Sequence, residues 1–200
     1  MKDALRIAVA GCGVVGSGVV KMLTQNKAQI ARAAGRTVTL TAVVDIKNVD
    51  LPEGVTLTGD IGAALEKADV LVETIGGARI AHEYTRRALE AGVSVVTSNK
   101  ELVATKGEEL LALAGKKGAR YLYEASVGGG IPLLRPIKTC LAGNEIDRVY
   151  GIVNGSTNYL LTRMDDMGTS FPAALGEAKT MGYVEADPSA DIDGIDARRK

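Results

Sequence analysis

The sequence has no tryptophan, a single phenylalanine and only two cysteines, and its 24 basic and 24 acidic residues cancel to zero formal net charge. Each shortage excludes something. With so few aromatic rings there is little against which bases could stack, and with no excess of basic residues there is no electrostatic footprint for a polyanion. Nucleic acid is excluded as a partner. Cys12 and Cys140 are too few, and too far apart, for a disulfide framework. No stretch reaches the ~18 uninterrupted apolar residues of a membrane span, and Met1-Lys2-Asp3-Ala4-Leu5-Arg6 has no secretory leader pattern. The expectation is a soluble protein of the reducing cytoplasm.

What is abundant is glycine, 24 of 200 residues against an ordinary share of about 7%. The length suits one large domain, or one complete domain with part of a second. Short apolar runs at residues 5–10, 38–45, 68–73, 93–97 and 119–123 read as strands. Helical patterns fall between them: one follows the first run, and others lie near 61–67, 80–91 and 107–117. Strands alternating with helices imply an α/β fold with a parallel sheet and right-handed crossovers. Beyond Glu124 the pattern changes. Residues 126–132 form a glycine-rich turn, Pro132 opens a helix to about Leu141, residues 147–154 read as a strand, and helices follow near 158–167 and 171–181. The expected organisation is a Rossmann-type domain over 1–127 and a partial α+β substrate and dimerisation domain over 128–200.

Gly11-Cys12-Gly13-Val14-Val15-Gly16 follows the first strand and opens the first helix. That context, more than the glycines alone, marks a dinucleotide site. Gly11 permits the tight turn, Gly13 lets backbone approach a pyrophosphate, and Gly16 lets the helix pack close to the strand. The N–H groups at Val14 and Val15 and the helix dipole then favour the phosphates. Asp45 closes the second strand, later than the usual spacing of about 20 residues after the glycines, which a long first helix and loop would explain. An acid there accepts hydrogen bonds from an adenosine ribose and favours NAD; Lys47 could instead meet the 2′-phosphate of NADP. An ordinary surface acid is the plain alternative. Thr74-Ile75-Gly76 and Ser98-Asn99-Lys100 follow the third and fourth expected strands, at the carboxyl edge where ligands bind. In these loops bordering the nicotinamide Lys100 is the better functional candidate, a cation beside a small polar pair just past an apolar strand; an ordinary loop lysine is the plain alternative. His82 reads as a solvated helix residue, and nothing marks Cys12 as a nucleophile.

The C-terminal stretch from Gly182 to Lys200 gathers Glu185, Asp187, Asp191, Asp193 and Asp196 ahead of Arg198, Arg199 and Lys200. Asp196 and Lys200 are four apart and share a helical face. Such a pair is either a surface ion pair worth about 0.3–0.5 kcal/mol or an acid aiming a reactive lysine. Asp191 or Asp193 could equally be a helix cap.

The glycine motif, Val96-Thr97-Ser98-Asn99-Lys100, the run from Tyr123-Glu124 to Ile131-Pro132, Gly151-Ile152-Val153-Asn154-Gly155-Ser156-Thr157-Asn158-Tyr159 and the acidic C-terminal stretch occur in an order that resembles homoserine dehydrogenase. The resemblance runs the length of the chain. It implies reversible, NAD- or NADP-dependent interconversion of L-homoserine and L-aspartate 4-semialdehyde, on the route to threonine and methionine, in a homodimer. It further implies Lys200 as acid/base, Lys100 near substrate and nicotinamide, and Glu185, Asp191 and Asp196 as acids that bind or orient substrate. Glu124, Val127, Gly129 and Ile131 correspond to positions that ligate sodium, mostly through backbone carbonyls, and Gly182 to one beside the cofactor. A substrate region continuing past residue 200 is also implied. The rival readings are a nucleotide-binding fragment without turnover, and another semialdehyde or imine reductase on a Rossmann base.

Overall fold

A computed structural model describes residues 4–184 and 187–200. The chain divides into two compact units, Met1–Arg135 and Pro136–Lys200.

The first unit is a six-stranded, all-parallel sheet. Its strands are β1 (Ala4–Ala10), β2 (Thr37–Val44), β3 (Thr56–Thr58), β4 (Val70–Glu73), β5 (Ser94–Thr97) and β6 (Tyr121–Leu122), in the spatial order β3-β2-β1-β4-β5-β6. The order runs outward from β1 in one direction and from β4 in the other. The junction of β1 and β4 is therefore the switch point of a Rossmann sheet, where a crevice opens beyond the strand ends. β3 was not expected. Three residues of Thr-Leu-Thr are too few to show a period, and pairing of Ala42–Val44 with Thr56–Thr58 is what defines it.

Helices α1 (Val14–Gln25), α2 (Lys27–Ala34), α3 (Ile61–Leu65), α4 (Arg79–Glu90) and α5 (Lys100–Lys117) connect the strands. The long first helix of the sequence reading is two helices, broken at Asn26. Alternation along the strands feeds both faces of the sheet. Ala8, Ala10, Ala42, Val44, Leu71 and Val95 pack with Ile61, Leu65, Leu89, Leu102 and Leu110 of α3, α4 and α5. The intervening Val9 and Val43 pack with Val20 of α1. Strands buried on both faces read as continuous apolar runs, which is why the sequence announced them.

The second unit is helical: α6 (Leu134–Thr139), which straddles the division, then α7 (Gly155–Met167), α8 (Phe171–Thr180), α9 (Ser189–Ile192) and α10 (Ile195–Arg198). Leu160, Ala174, Ala178 and Val184 form its small core. α6 starts two residues beyond Pro132. The strand expected over 147–154 is absent: those residues are not in a ladder, and Val149, Tyr150 and Ile152 are exposed. An extended segment gains nothing without a partner for its N–H and C=O groups, and none is present among the described residues.

Candidate functional site

The glycine loop between β1 and α1 is held by the carboxyl ends of two neighbouring strands, β2 and β4. Gly11 N–H donates to the Val44 carbonyl at 2.9 Å, the Thr74 hydroxyl donates to the Gly11 carbonyl at 2.7 Å, and Cys12 N–H donates to Asp45 Oδ2 at 2.7 Å. Gly11 has φ of 87°, and a Cβ on it would stand 2.9 Å from the Thr74 carbonyl oxygen. At Gly16 a Cβ would lie 1.9 Å from the Gly11 carbonyl oxygen. Helix and loop touch there, so no side chain fits. Gly13 differs: nothing lies within 4 Å of where its Cβ would be, which leaves the backbone open to an approaching group. Gly13 caps α1 without a side chain, and Val14 and Val15 are exposed beside it. The first-turn N–H groups at this helix start suit a pyrophosphate.

Asp45 has both oxygens engaged, Oδ2 by Cys12 N–H and Oδ1 by Lys47 N–H at 2.9 Å. The bonds from Lys47 and Cys12 hold its carboxyl below the usual aspartate range. Each oxygen keeps a further lone pair for a ribose hydroxyl. The Cys12 thiol, half-buried, is pushed up by burial and by the Asp45 charge, as expected of a thiol that is not a nucleophile.

Across the switch point, Ile75 and Asn99 come together: Asn99 Nδ2 donates to the Ile75 carbonyl at 3.0 Å and to the Gly77 carbonyl at 2.7 Å. Its Oδ1 accepts from Leu102 N–H at 3.0 Å and caps α5. Lys100 is thus not a loop residue but the first residue of α5, whose start sequence reading placed seven residues late. Asn99 is an N-cap signal that could have revealed it. A cation in the first turn opposes the helix dipole, at a cost of about 0.3–1 kcal/mol. Gly76 is exposed in the same turn. His82, expected to be solvated, instead meets Glu109 Oε1 at 3.0 Å, joining α4 to α5.

Glu124 begins a short 3-10 turn, Glu124–Ser126. Its carboxylate accepts from the N–H groups of Leu133 and Arg135, each at 2.6 Å, which holds its pKa low. Val127 N–H donates to the Glu124 carbonyl at 3.3 Å, and Ile131 N–H to that of Gly128 at 3.0 Å. Gly128 and Gly129 carry φ of 74° and 59°. Among the described residues no cluster of His, Cys, Asp or Glu side chains could hold a metal. A cation at 124–131 would rest on backbone carbonyls, donors that suit a hard ion.

In the second unit the acidic stretch closes on Asn154, for which no role follows from sequence. Asn154, buried, caps α7 by accepting from Thr157 N–H at 2.7 Å. Its amide donates to Asp191 Oδ1 at 2.7 Å and to Asp196 Oδ2 at 2.9 Å. Asp196 is itself buried, and Lys200 Nζ lies 2.9 Å from its Oδ2. The same ammonium donates to the Val153 carbonyl at 2.5 Å. The i, i+4 pair expected from sequence therefore forms, as part of a network of five residues rather than on an open surface. Gly182 ends α8 with φ of 73°. Glu185 lies outside the described residues.

The family model "Homoserine dehydrogenase, NAD binding domain" matches residues 11–124, and "Homoserine dehydrogenase" matches 132–200. The chain belongs to the homoserine dehydrogenase family. A homoserine dehydrogenase of Pseudomonas aeruginosa is 41% identical over 200 residues, covering 98% of this chain and 46% of the relative. That of Bacillus subtilis is 40% identical over 204 residues, covering 98% of this chain and 47% of the relative. The crystal structure of the family member from Thiobacillus denitrificans superposes with a TM-score of 0.89 at 38% identity, over 98% of this chain and 47% of that one. A hyperthermophilic archaeal family member solved in complex with NADPH aligns with a TM-score of 0.81 at 29% identity, over 98% of this chain and 67% of its own. The chain spans about half the length of the curated relatives it matches. No helix among the described residues is long and apolar enough to cross a membrane.

Proposed function

We propose that the chain carries the nucleotide site and the acid/base lysine of an NAD(P)-dependent homoserine dehydrogenase, which interconverts L-homoserine and L-aspartate 4-semialdehyde in the cytoplasm. The single observation that carries this reading is Lys200 held by Asp196 and the Val153 carbonyl. Two of its three N–H donors are so engaged; the third has no partner among the described residues and suits a substrate oxygen.

Bound NAD(P)H supplies the hydride. Adding it to an aldehyde leaves negative charge on the oxygen, and Lys200 is the group to stabilise that charge and deliver a proton. Asp196 sets the direction of the ammonium, and Asn154 holds Asp196 and Asp191 together from behind. Asp191 and Glu185 are carboxylates suited to the α-ammonium of the substrate. Lys100 at the head of α5 faces the nicotinamide edge. Gly11, Gly13, Val14, Val15 and Gly16 receive the pyrophosphate, Asp45 the ribose, and Thr74, Ile75, Gly76, Asn99 and Gly182 line the remainder. Sodium held by carbonyls of Glu124, Val127, Gly129 and Ile131, and a homodimer of the whole protein, complete the proposal.

The test is homoserine-dependent reduction of NAD and of NADP by this chain and by a longer polypeptide covering the full length of the relatives. Lys200→Ala in the longer form should abolish turnover while nucleotide affinity stays within about twofold. Loss of nucleotide binding would show that Lys200 belongs to the cofactor site instead. Asp45→Ser should weaken NAD more than NADP. An unchanged ratio would contradict the ribose contact. Binding without turnover in this chain, with turnover in the longer form, would favour the nucleotide-binding fragment, and indifference to the amino group in a screen of aldehydes would favour another reductase.

A further inference from the structure

Among the described residues of the first unit Glu73 is the one fully buried acid, at 0% exposure. It ends β4 at the carboxyl edge of the sheet, in register with Ala10 of β1 and Thr97 of β5. No cation forms an ion pair with it among the described residues. Its Oε2 accepts from the Thr97 hydroxyl at 2.5 Å, and its Oε1 from Ile75 N–H at 2.7 Å. Thr97 Oγ1 accepts in turn from Asn99 N–H at 2.9 Å. Asn99 then reaches back to the carbonyls of Ile75 and Gly77. The bonds close a ring: Ile75 to Glu73 to Thr97 to Asn99 and back to Ile75.

Burial pushes the Glu73 carboxyl up, against bonds from Thr97, Ile75 and Asn99 that favour its charge. A buried acid without a counter-ion is a poor way to gain stability, since an apolar side chain of similar volume would pack in its place without a desolvation penalty. What an apolar residue could not do is fix two loops at once. The turn after β4 and the head of α5 hang on this carboxylate, and both border the crevice at the switch point.

We propose that Glu73 is a positioning residue for the nicotinamide end of the cofactor: its buried carboxylate sets the 74–78 turn and the Asn99–Lys100 helix start in one relative arrangement. The proposal rests on the dinucleotide reading above. The phosphate and adenosine end depends on α1 and Asp45, outside the ring, so the two ends of the ligand can be tested separately.

The experiment compares the affinity of NADH with that of ADP-ribose, which lacks the nicotinamide, for the whole chain and for Glu73→Leu, Thr97→Val and Glu73→Gln. Glu73→Leu and Thr97→Val should weaken NADH about tenfold, the effect of losing one or two anchoring bonds, while ADP-ribose stays within about twofold. Glu73→Gln, whose carbonyl still accepts from Ile75 N–H, should recover most of the NADH affinity. Equal loss of both ligands, or NADH affinity unchanged in Thr97→Val and Glu73→Leu, overturns the proposal; should Glu73→Leu not fold, Thr97→Val and Glu73→Gln decide it. A parent chain that binds neither ligand overturns the dinucleotide reading and this proposal with it, a result distinct from selective persistence of NADH binding in the variants.

Discussion

At the scale of single residues, the nucleotide loop is defined by contact distances. Gly16 lies so close to the Gly11 carbonyl that Gly16→Ala should destabilise the chain by at least the upper part of the about 1–3 kcal/mol range for overpacking, read as a shift in urea midpoint. Gly13→Ala meets no such clash and should leave the midpoint nearly unchanged. Asp45 makes the second residue-level prediction. Its folded pKa lies below its unfolded value, so its contribution to stability is present above the unfolded pKa and is lost as pH falls through the folded one. Carboxyl carbon NMR should show Asp45 titrating below about 3.9 and Glu73 above about 4.3, the ordinary values for the two types. Glu73 runs oppositely, favouring the folded state on the acid side. Contacts were legible in sequence where they are local, as in the tight packing at Gly11 and Gly16 and the Asp196–Lys200 pair. They were hidden where the partners are distant: Asn154 bonds to residues 37 and 42 positions away, and no local spacing announces that.

At the scale of elements, five of the six strands of the sheet stand where the sequence reading put them, because burial on both faces makes them largely apolar. The segment 147–154 shows the limit of that rule. Its composition is a strand's, yet a strand is a pairing, and composition does not supply the partner. The head of α5 failed in the opposite sense, since Ser-Asn-Lys reads as a loop until the Asn99 cap is recognised. α7 gives an element-level prediction. Asn154→Ala removes an N-cap, worth about 0.5–2 kcal/mol, and also the amide's bonds to the Asp191 and Asp196 carboxylates, of the kind worth about 1.5–3 kcal/mol when the partner is charged. The loss measured by chemical unfolding should therefore exceed that of Asp60→Ala, in which the exposed cap of α3 is lost and nothing else. Equal losses would mean the acidic network adds nothing to the cap.

At the scale of the whole molecule, the two units differ in what holds them. The sheet unit has a buried cluster drawn from five strands and three helices, with a second one on the opposite face. The helical unit rests on Leu160, Ala174, Ala178 and Val184, a core small enough to be marginal. Native-state hydrogen exchange should show amides of α7 and α8 opening at distinctly lower free energy than those of β1, β4 and β5. Nucleotide should slow exchange in β1, β4 and α1 by mass action. Uniform protection across both units would show that they unfold as one.

The two thiols give the chain a built-in reporter. Cys140 is exposed, whereas Cys12 lies half-buried in the glycine loop with its thiol made less acidic by burial and by Asp45. Thiolate is the species that reacts with a maleimide. One equivalent of dye should therefore attach rapidly at Cys140, leaving Cys12 to react slowly, and more slowly still when nucleotide covers the loop. A single fluorophore could be placed without mutagenesis, and the lag of the second thiol would count occupied nucleotide sites without any enzymatic assay.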